Sequence, residues 1–273
     1  MGSWEDAVAR LVAEPDQQEL VRAAYLDQPV SAAARRYDAS EEWKAIRAFL
    51  PSPPGTAVDL GAGNGVASYA LARAGWKVIA LEPDPSETVG AGAIRNLAAA
   101  EGLAIDVRDA MGESMPLADA SVEVVLARQV LHHARDLGAL CREAARVLRP
   151  GGVFVSVRDH VVSSDRQLKA FLAGHPLHRY YGGEHAYARQ EYLRAIRNAG
   201  LEITHVLGSF DSVINYAPHT PESLRAELAR RLPAGRLLTA PLASPPVFHA
   251  MCRALSVLDQ RPGRLLSVIA RRP

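Results

Sequence analysis

Apolar positions change their period once along the chain, and that change divides it. Up to residue 50 they recur at helical spacing: Trp4, Val8, Leu11 and Val12, then Leu20, Val21, Ala24 and Tyr25, then Trp43, Ile46, Phe49 and Leu50. Each set makes one apolar stripe on a helix. Ser40, followed by Glu41 and Glu42, reads as an N-cap with acidic residues at the positive helix end. The run Pro51 to Gly55, "PSPPG", then stops the helix, because proline lacks the N–H and restricts its predecessor. The expected organisation is an N-terminal helical lid or extension over 1–50 and a larger unit over 51–273.

From Thr56 the pattern alternates. Short, nearly continuous apolar runs at Ala57–Leu60, Val78–Leu81, Ala104–Val107, Val122–Ala127, Val153–Val157, Ile203–Leu207 and Leu265–Ala270 read as strands buried on both faces. Helical patterns separate them. In one, Leu137, Leu140, Cys141, Ala144 and Leu148 share a face and Arg149 to Gly152 ends the helix. This predicts an α/β fold with a doubly wound, Rossmann-like, seven-stranded and mostly parallel sheet, whose ligands sit at the carboxyl ends of the strands. Two stretches interrupt the alternation, at about 160–187 and 208–263, and are expected to be helical cap insertions. The first holds His175, His178, Tyr180, Tyr181, His185 and Tyr187 between glycines, a composition suited to a lid over a polar organic substrate. Within the second, Thr220 and Pro221 open a helix carrying Arg225, Arg230 and Arg231, with Arg236 following; these form a basic face for a phosphate or carboxylate, or a solvated surface. A second helix there places Val247, Met251, Ala254, Leu255 and Leu258 on an apolar face, and the insertion equally suits a homodimer contact.

Composition narrows the classes. The 273 residues are 48% hydrophobic, enough for one generous core. Thirty-one basic against 30 acidic residues, a net charge of +1, removes the signature of a protein that holds long nucleic acid by its phosphates. Cys141 and Cys252 lie far apart without metal-like spacing, which fits a reduced cytoplasmic protein. No apolar run approaches the ~18 residues of a membrane span. The opening "MGSWEDAVAR" is acidic where a signal peptide is basic then apolar, and Asp6 stands where a myristoylation motif wants Ser or Thr.

The chemistry concentrates in Thr56 to Ala74, "TAVDLGAGNGVASYALARA". Gly61, Gly63 and Gly65 let the backbone turn tightly and approach a ligand ahead of a helix N-terminus. A dinucleotide fingerprint would put its third glycine at position 66, which is Val66, and this disfavours a nicotinamide-dependent oxidoreductase. Asp59 precedes the turn and Glu82 ends the next strand. An acidic group there accepts both hydroxyls of a free ribose and repels a 2′-phosphate, so a nucleoside ligand with little phosphate and a positive centre fits.

These residues resemble the class I S-adenosylmethionine-dependent methyltransferases. "VDLGAGNG" is similar to the first motif of that family, "LEPD" to the second, "VRDAMGESMPLADASVEVVLARQVLHH" to the third and fourth, and "EAARVLRPGGVFVSV" to the helix and strand that follow. They run in the family's order over Ala57 to Val157, and the likeness is greatest to the small-molecule, ubiquinone- and menaquinone-biosynthesis branch. The resemblance implies S-adenosyl-L-methionine as cofactor and a small-molecule acceptor methylated on oxygen or nitrogen rather than carbon. It places Gly61, Ala62, Gly63 and Gly65 around the methionine part, with Asp59 toward its ammonium. Glu82 would take the ribose hydroxyls with Pro83 and Asp84 beside it, Asp109 the adenine amine with Ala110 and Met111 alongside, and Arg128 would offer its backbone carbonyl. His132, beside His133 after the fourth strand, His160 at the end of the fifth and Tyr181 in the lid are the candidate catalytic residues. No metal is expected, since Pro176 between His175 and His178 argues against a helical ligand pair. A cofactor-binding regulatory or inactive protein of the same fold is the alternative.

Overall fold

The computed structural model describes residues 3–231 and 243–273. Four helices come first: α1 (Trp4–Ala13), α2 (Gln18–Ala23), α3 (Val30–Asp38) and α4 (Glu41–Arg47). Ser3 and Asp6 form a capping box on α1, and Ser40 accepts the Trp43 amide at the start of α4. The alternating part follows as β1 (Thr56–Leu60), α5 (Val66–Arg73), β2 (Lys77–Leu81), α6 (Ala91–Glu101), β3 (Ile105–Arg108), β4 (Val122–Arg128), α7 (Leu137–Val147) and β5 (Leu148–Val162). Then come α8 (Asp165–Gly174), α9 (Pro176–Tyr180), β6 (Tyr187–Ala188), α10 (Arg189–Asn198), β7 (Glu202–Leu207), α11 (Val213–Tyr216), α12 (Pro221–Arg231), α13 (Pro245–Leu258) and β8 (Arg264–Arg271).

The sheet runs β3-β2-β1-β4-β5-β8-β7, with β1 to β5 parallel and β8 antiparallel between β5 and β7. The seven expected strands are all present. An eighth, the two-residue β6, pairs with Val161 and Val162 because β5 continues past Val157 and offers its edge. Alternate residues of the central strands serve opposite faces. Val58, Leu60, Val125 and Phe154 meet α7 and α10 on one side; Ala57, Val124, Leu126 and Val155 meet α5 and the N-terminal aromatics Tyr37 and Trp43 on the other.

Two local expectations need correction. Leu148 opens β5 rather than continuing the face of α7, which ends at Val147, and Arg149 to Gly152 fall within the strand. On α13 the inward face is carried by Phe248 and Cys252, packed with Leu224 of α12, whereas Val247 and Leu258 are exposed. Phe248 and Cys252 are one helical turn apart, so they present their ring and thiol to the same neighbour. Both cysteines are buried free thiols. Among the described residues no helix is long and apolar enough to cross a membrane. Arg236 lies outside the described residues.

Candidate active site

The carboxyl ends of β1 and β4 are neighbours, and the glycine turn after β1 opens into a cavity of about 1290 Å³ between them. Gly61, Gly63 and Gly65 all have positive φ, at 60°, 55° and 86°. A Cβ on Gly61 would strike Val130, whereas one on Gly63 would enter open space on the cavity side. Gly63 therefore leaves a cradle along the chain that a ligand can fill. Gly65 caps α5 and lies against Ile94, behind the cavity wall.

Two buried carboxylates flank this cradle. Asp59 accepts the Ser68 hydroxyl at 2.6 Å, and burial pushes it up to about 6 despite that hydrogen bond. Glu82 accepts the Gly63 amide on Oε2 at 2.7 Å and the Asp84 amide on Oε1 at 3.0 Å. Burial pushes it up to about 7, partly countered by those two amides. Each Glu82 oxygen keeps a further lone pair for a ligand hydroxyl. Neither carboxylate has an ion-pair partner among the described residues, so a ligand bringing a positive centre and hydroxyl donors would relieve both.

The N-terminal helices are fastened to the far side of the cavity. Arg128 at the end of β4 donates to Glu42 of α4 at 2.7 Å, with its guanidinium over Tyr25 and Tyr37, both at 5.3 Å. Arg158, at φ 64°, donates to the Ile214 carbonyl at 2.8 Å and lies 3.9 Å from the same Glu42. Asn64 in the glycine turn donates to the Tyr25 carbonyl at 2.7 Å. Gln129, just after β4, and Arg158, at the irregularity in β5 between Ser156 and Asp159, are non-glycine residues with positive φ, a strain of about 1–3 kcal/mol each that surrounding contacts must hold.

The opposite wall is built from histidines. His132 Nδ1 lies 2.9 Å from Asp159 Oδ1, and Ser156 donates to Asp159 Oδ2 at 2.5 Å. That contact assigns the His132 proton to Nδ1 and leaves Nε2 free. Burial holds His132 well below the ordinary imidazole range, and pushes Asp159 up to about 7 against the donors that surround it. His160 has its Nδ1 2.9 Å from the Gly263 carbonyl, which likewise frees Nε2, and burial lowers it to about 4. Its ring lies 4.9 Å from that of His132. His133, His175 and the buried Glu184 complete the wall, and all line the same cavity as Asp59 and Glu82.

Residues 58–156 match the family described as methyltransferase domain. Over that stretch the chain is similar to methyltransferase domains. A curated relative, a ubiquinone biosynthesis O-methyltransferase from a Methylobacterium species, is 31% identical over 157 residues, which is 56% of this chain and 62% of the relative. The match thus spans less than two thirds of that relative's length. Geranyl diphosphate methyltransferase in complex with SAM aligns over 97% of this chain and 95% of its own at a TM-score of 0.59 and 18% identity. The cyclase SpnF aligns over 89% of this chain and 82% of its own, at 0.58 and 20% identity. These two likenesses concern the fold.

Of the residues expected at the site, Asp59, Gly61, Ala62, Gly63, Glu82, Pro83, Asp84, Ala110, Met111 and Arg128 line the cavity, as do His132, His160 and Tyr181. Gly65 and Asp109 do not. Asp109 instead pairs with Arg95 at 2.7 Å on the surface, and the Arg128 side chain is committed to Glu42. Of the first insertion, His175 and Tyr181 face the cavity; Tyr180 hydrogen-bonds Glu14, and Tyr187 donates to the Ala134 carbonyl at 2.8 Å. Pro176 begins α9 rather than breaking a helix, with His175 as its N-cap residue. Arg225 stacks on Phe248 at 4.5 Å, while Arg230 and Arg231 pair with Glu227. Glu42, Asn64, Ser68 and Glu184 escaped the sequence reading, and no role was read for Asp159. Only Glu184, adjacent to His185 in a glycine-flanked run, carried any local signal.

Proposed function

We propose that the chain is an S-adenosylmethionine-dependent methyltransferase acting on oxygen or nitrogen of a small polar molecule. The observation that carries this is Glu82: both its oxygens are oriented by the Gly63 and Asp84 amides, at the edge of a cradle that Gly63 leaves open and Asp59 faces. In this reading Glu82 accepts the ribose hydroxyls and Asp59 faces the ammonium group, so the donor set fits the cofactor. The methyltransferase-domain match also turns aside the nicotinamide reading. The cavity exceeds the ~300–1,000 Å³ of an ordinary single-ligand pocket, room for cofactor and acceptor together.

The cofactor supplies a methyl group on a positively charged sulfur, and its in-line transfer depends chiefly on alignment and exclusion of water. Trp4 and Leu11 of α1 and Tyr181 after α9 stand over the cavity, with Trp4 and Tyr181 edge to face at 5.9 Å. They form the lid, and α1 is tied across the site by Glu5 to Thr88 at 2.9 Å and by Glu14 to Tyr180. His160 Nε2 is placed to accept a hydrogen bond from an acceptor hydroxyl. The near-neutral charge supports a metabolite over a nucleic acid as acceptor, and the reduced cysteines fit a cytoplasmic setting.

Cofactor binding without methyl transfer is the second reading, since the fold is shared with a cyclase and does not by itself fix the chemistry. Incubation with tritiated-methyl cofactor and fractionated metabolites separates the two. Enzyme-dependent label in a small-molecule fraction, reduced at least tenfold by His160→Ala, is expected; cofactor binding with no label in any fraction would select the second reading.

A further inference from the structure

The acceptor wall holds a group of side chains whose arrangement methyl transfer does not require. His132, His133 and Glu184 bring one ligand atom each within 4.8 Å of one another. His132 Nε2 lies 3.7 Å and His133 Nε2 3.8 Å from Glu184 Oε2. These gaps are too long for hydrogen bonds. They are close to the spacing of donors around a single ion, about 3.4 Å for a tetrahedron with ligand bonds of about 2.1 Å. Glu184 Oε2 is buried with no hydrogen-bond partner, and the Glu184 side chain is only 3% exposed. His175 does not satisfy it, for its own buried Nδ1 is also unpartnered and lies 3.8 Å from Glu184 Oε1. An ionised carboxylate buried without a partner is costly unless a cation faces it or it takes up a proton.

We infer that His132 Nε2, His133 Nε2 and Glu184 Oε2 form a binding site for one divalent transition-metal ion on the acceptor side of the cavity. Imidazole with carboxylate suits the zinc, cobalt and iron class rather than magnesium or calcium. Asp159 gives the site the support such centres use: it takes the Nδ1 proton of His132, fixing the ring and presenting Nε2. His132 and His133 are adjacent in the 3₁₀ turn Leu131–His133 after β4, and Glu184 arrives from the loop after α9, so the site joins the domain core to the insertion. Three protein ligands leave at least one position open to the cavity. Resting on the methyltransferase reading, this narrows the acceptor to a molecule whose hydroxyl or carboxylate oxygen completes the coordination.

The ion itself is testable without activity. Untagged protein, stripped with chelator, is titrated with cobalt(II) and zinc by calorimetry and visible absorption. One equivalent per chain with the ligand-field bands of cobalt(II), displaced by zinc, is expected. Glu184→Gln and His133→Ala should each weaken binding by at least tenfold, and Asp159→Asn by about 10–100-fold. Calorimetry with S-adenosylmethionine on the Glu184→Gln protein checks that it is folded and should give the unaltered cofactor affinity. Absence of a stoichiometric site, or cobalt(II) affinity unchanged in Glu184→Gln and His133→Ala, would overturn the inference and leave a metal-free imidazole and carboxyl cluster. Metal binding without cofactor binding would uphold it while refuting the methyltransferase reading.

Discussion

Single residues carry the proposed cofactor side of the site, and their burial makes them sensitive to pH. Glu82 is raised by burial from an ordinary 4.5 to about 7 in the ligand-free protein. A carboxyl raised on folding binds more protons in the folded than in the unfolded state, so its contribution destabilises the free protein as pH rises from about 4.5 to about 7. Ligand binding has the opposite demand, because the ionised form is the better acceptor for two hydroxyls. Cofactor affinity should therefore fall, by up to about tenfold per unit, as pH drops below about 7, and calorimetry on either side of that value checks it. Gly63→Ala tests the cradle. The side chain meets nothing in the protein, so the fold should lose only the ~1–2 kcal/mol of a left-handed alanine, while affinity falls roughly tenfold or more. Denaturant melts and calorimetry give the two numbers separately.

Elements show what was legible beforehand and what was not. The strands and the glycine turn could be read because β-branched apolar runs and glycines at fixed offsets report local constraints, and β1, β2, β4 and β8 lie where the pattern put them within a residue or two. That Glu82 and Asp59 would line the cavity could be read for the same reason, since position relative to strand ends fixes both. Asp109 lies off the cavity lining, where its exposed strand-end position lets Arg95 on α6 pair with it. Glu42 was illegible: on the helix surface pattern it is an ordinary first-turn acid, and only the packing of α4 against β4 and β5 makes it the buried partner of Arg128 and Arg158. Its removal leaves two buried guanidiniums, so Glu42→Ala should cost about 3–5 kcal/mol, seen as a lowered denaturation midpoint. The His132, His133 and Glu184 grouping was equally hidden, since 50 residues lie between the histidine pair and the carboxylate.

At the scale of the whole molecule, the N-terminal helices serve two ends. α3 and α4 complete one face of the core through Ala33, Ala34, Tyr37, Trp43 and Ile46, whereas α1 reaches across the cavity to the insertion. A ligand in that cavity bridges the sheet, the helices and the insertion, and so should stabilise the chain as a unit. Cofactor at about 100 times its Kd should add about 2.7 kcal/mol, several degrees in Tm, and the gain should shrink in Glu82→Ala. The most direct test of the central claim is a calorimetric titration of S-adenosylmethionine into the wild-type and Glu82→Ala proteins near neutral pH. One site per chain is expected, weakened roughly 100-fold in the variant by loss of two charge-assisted hydrogen bonds of about 1.5 kcal/mol each. No binding to the wild type, or equal binding to both proteins, would contradict that claim.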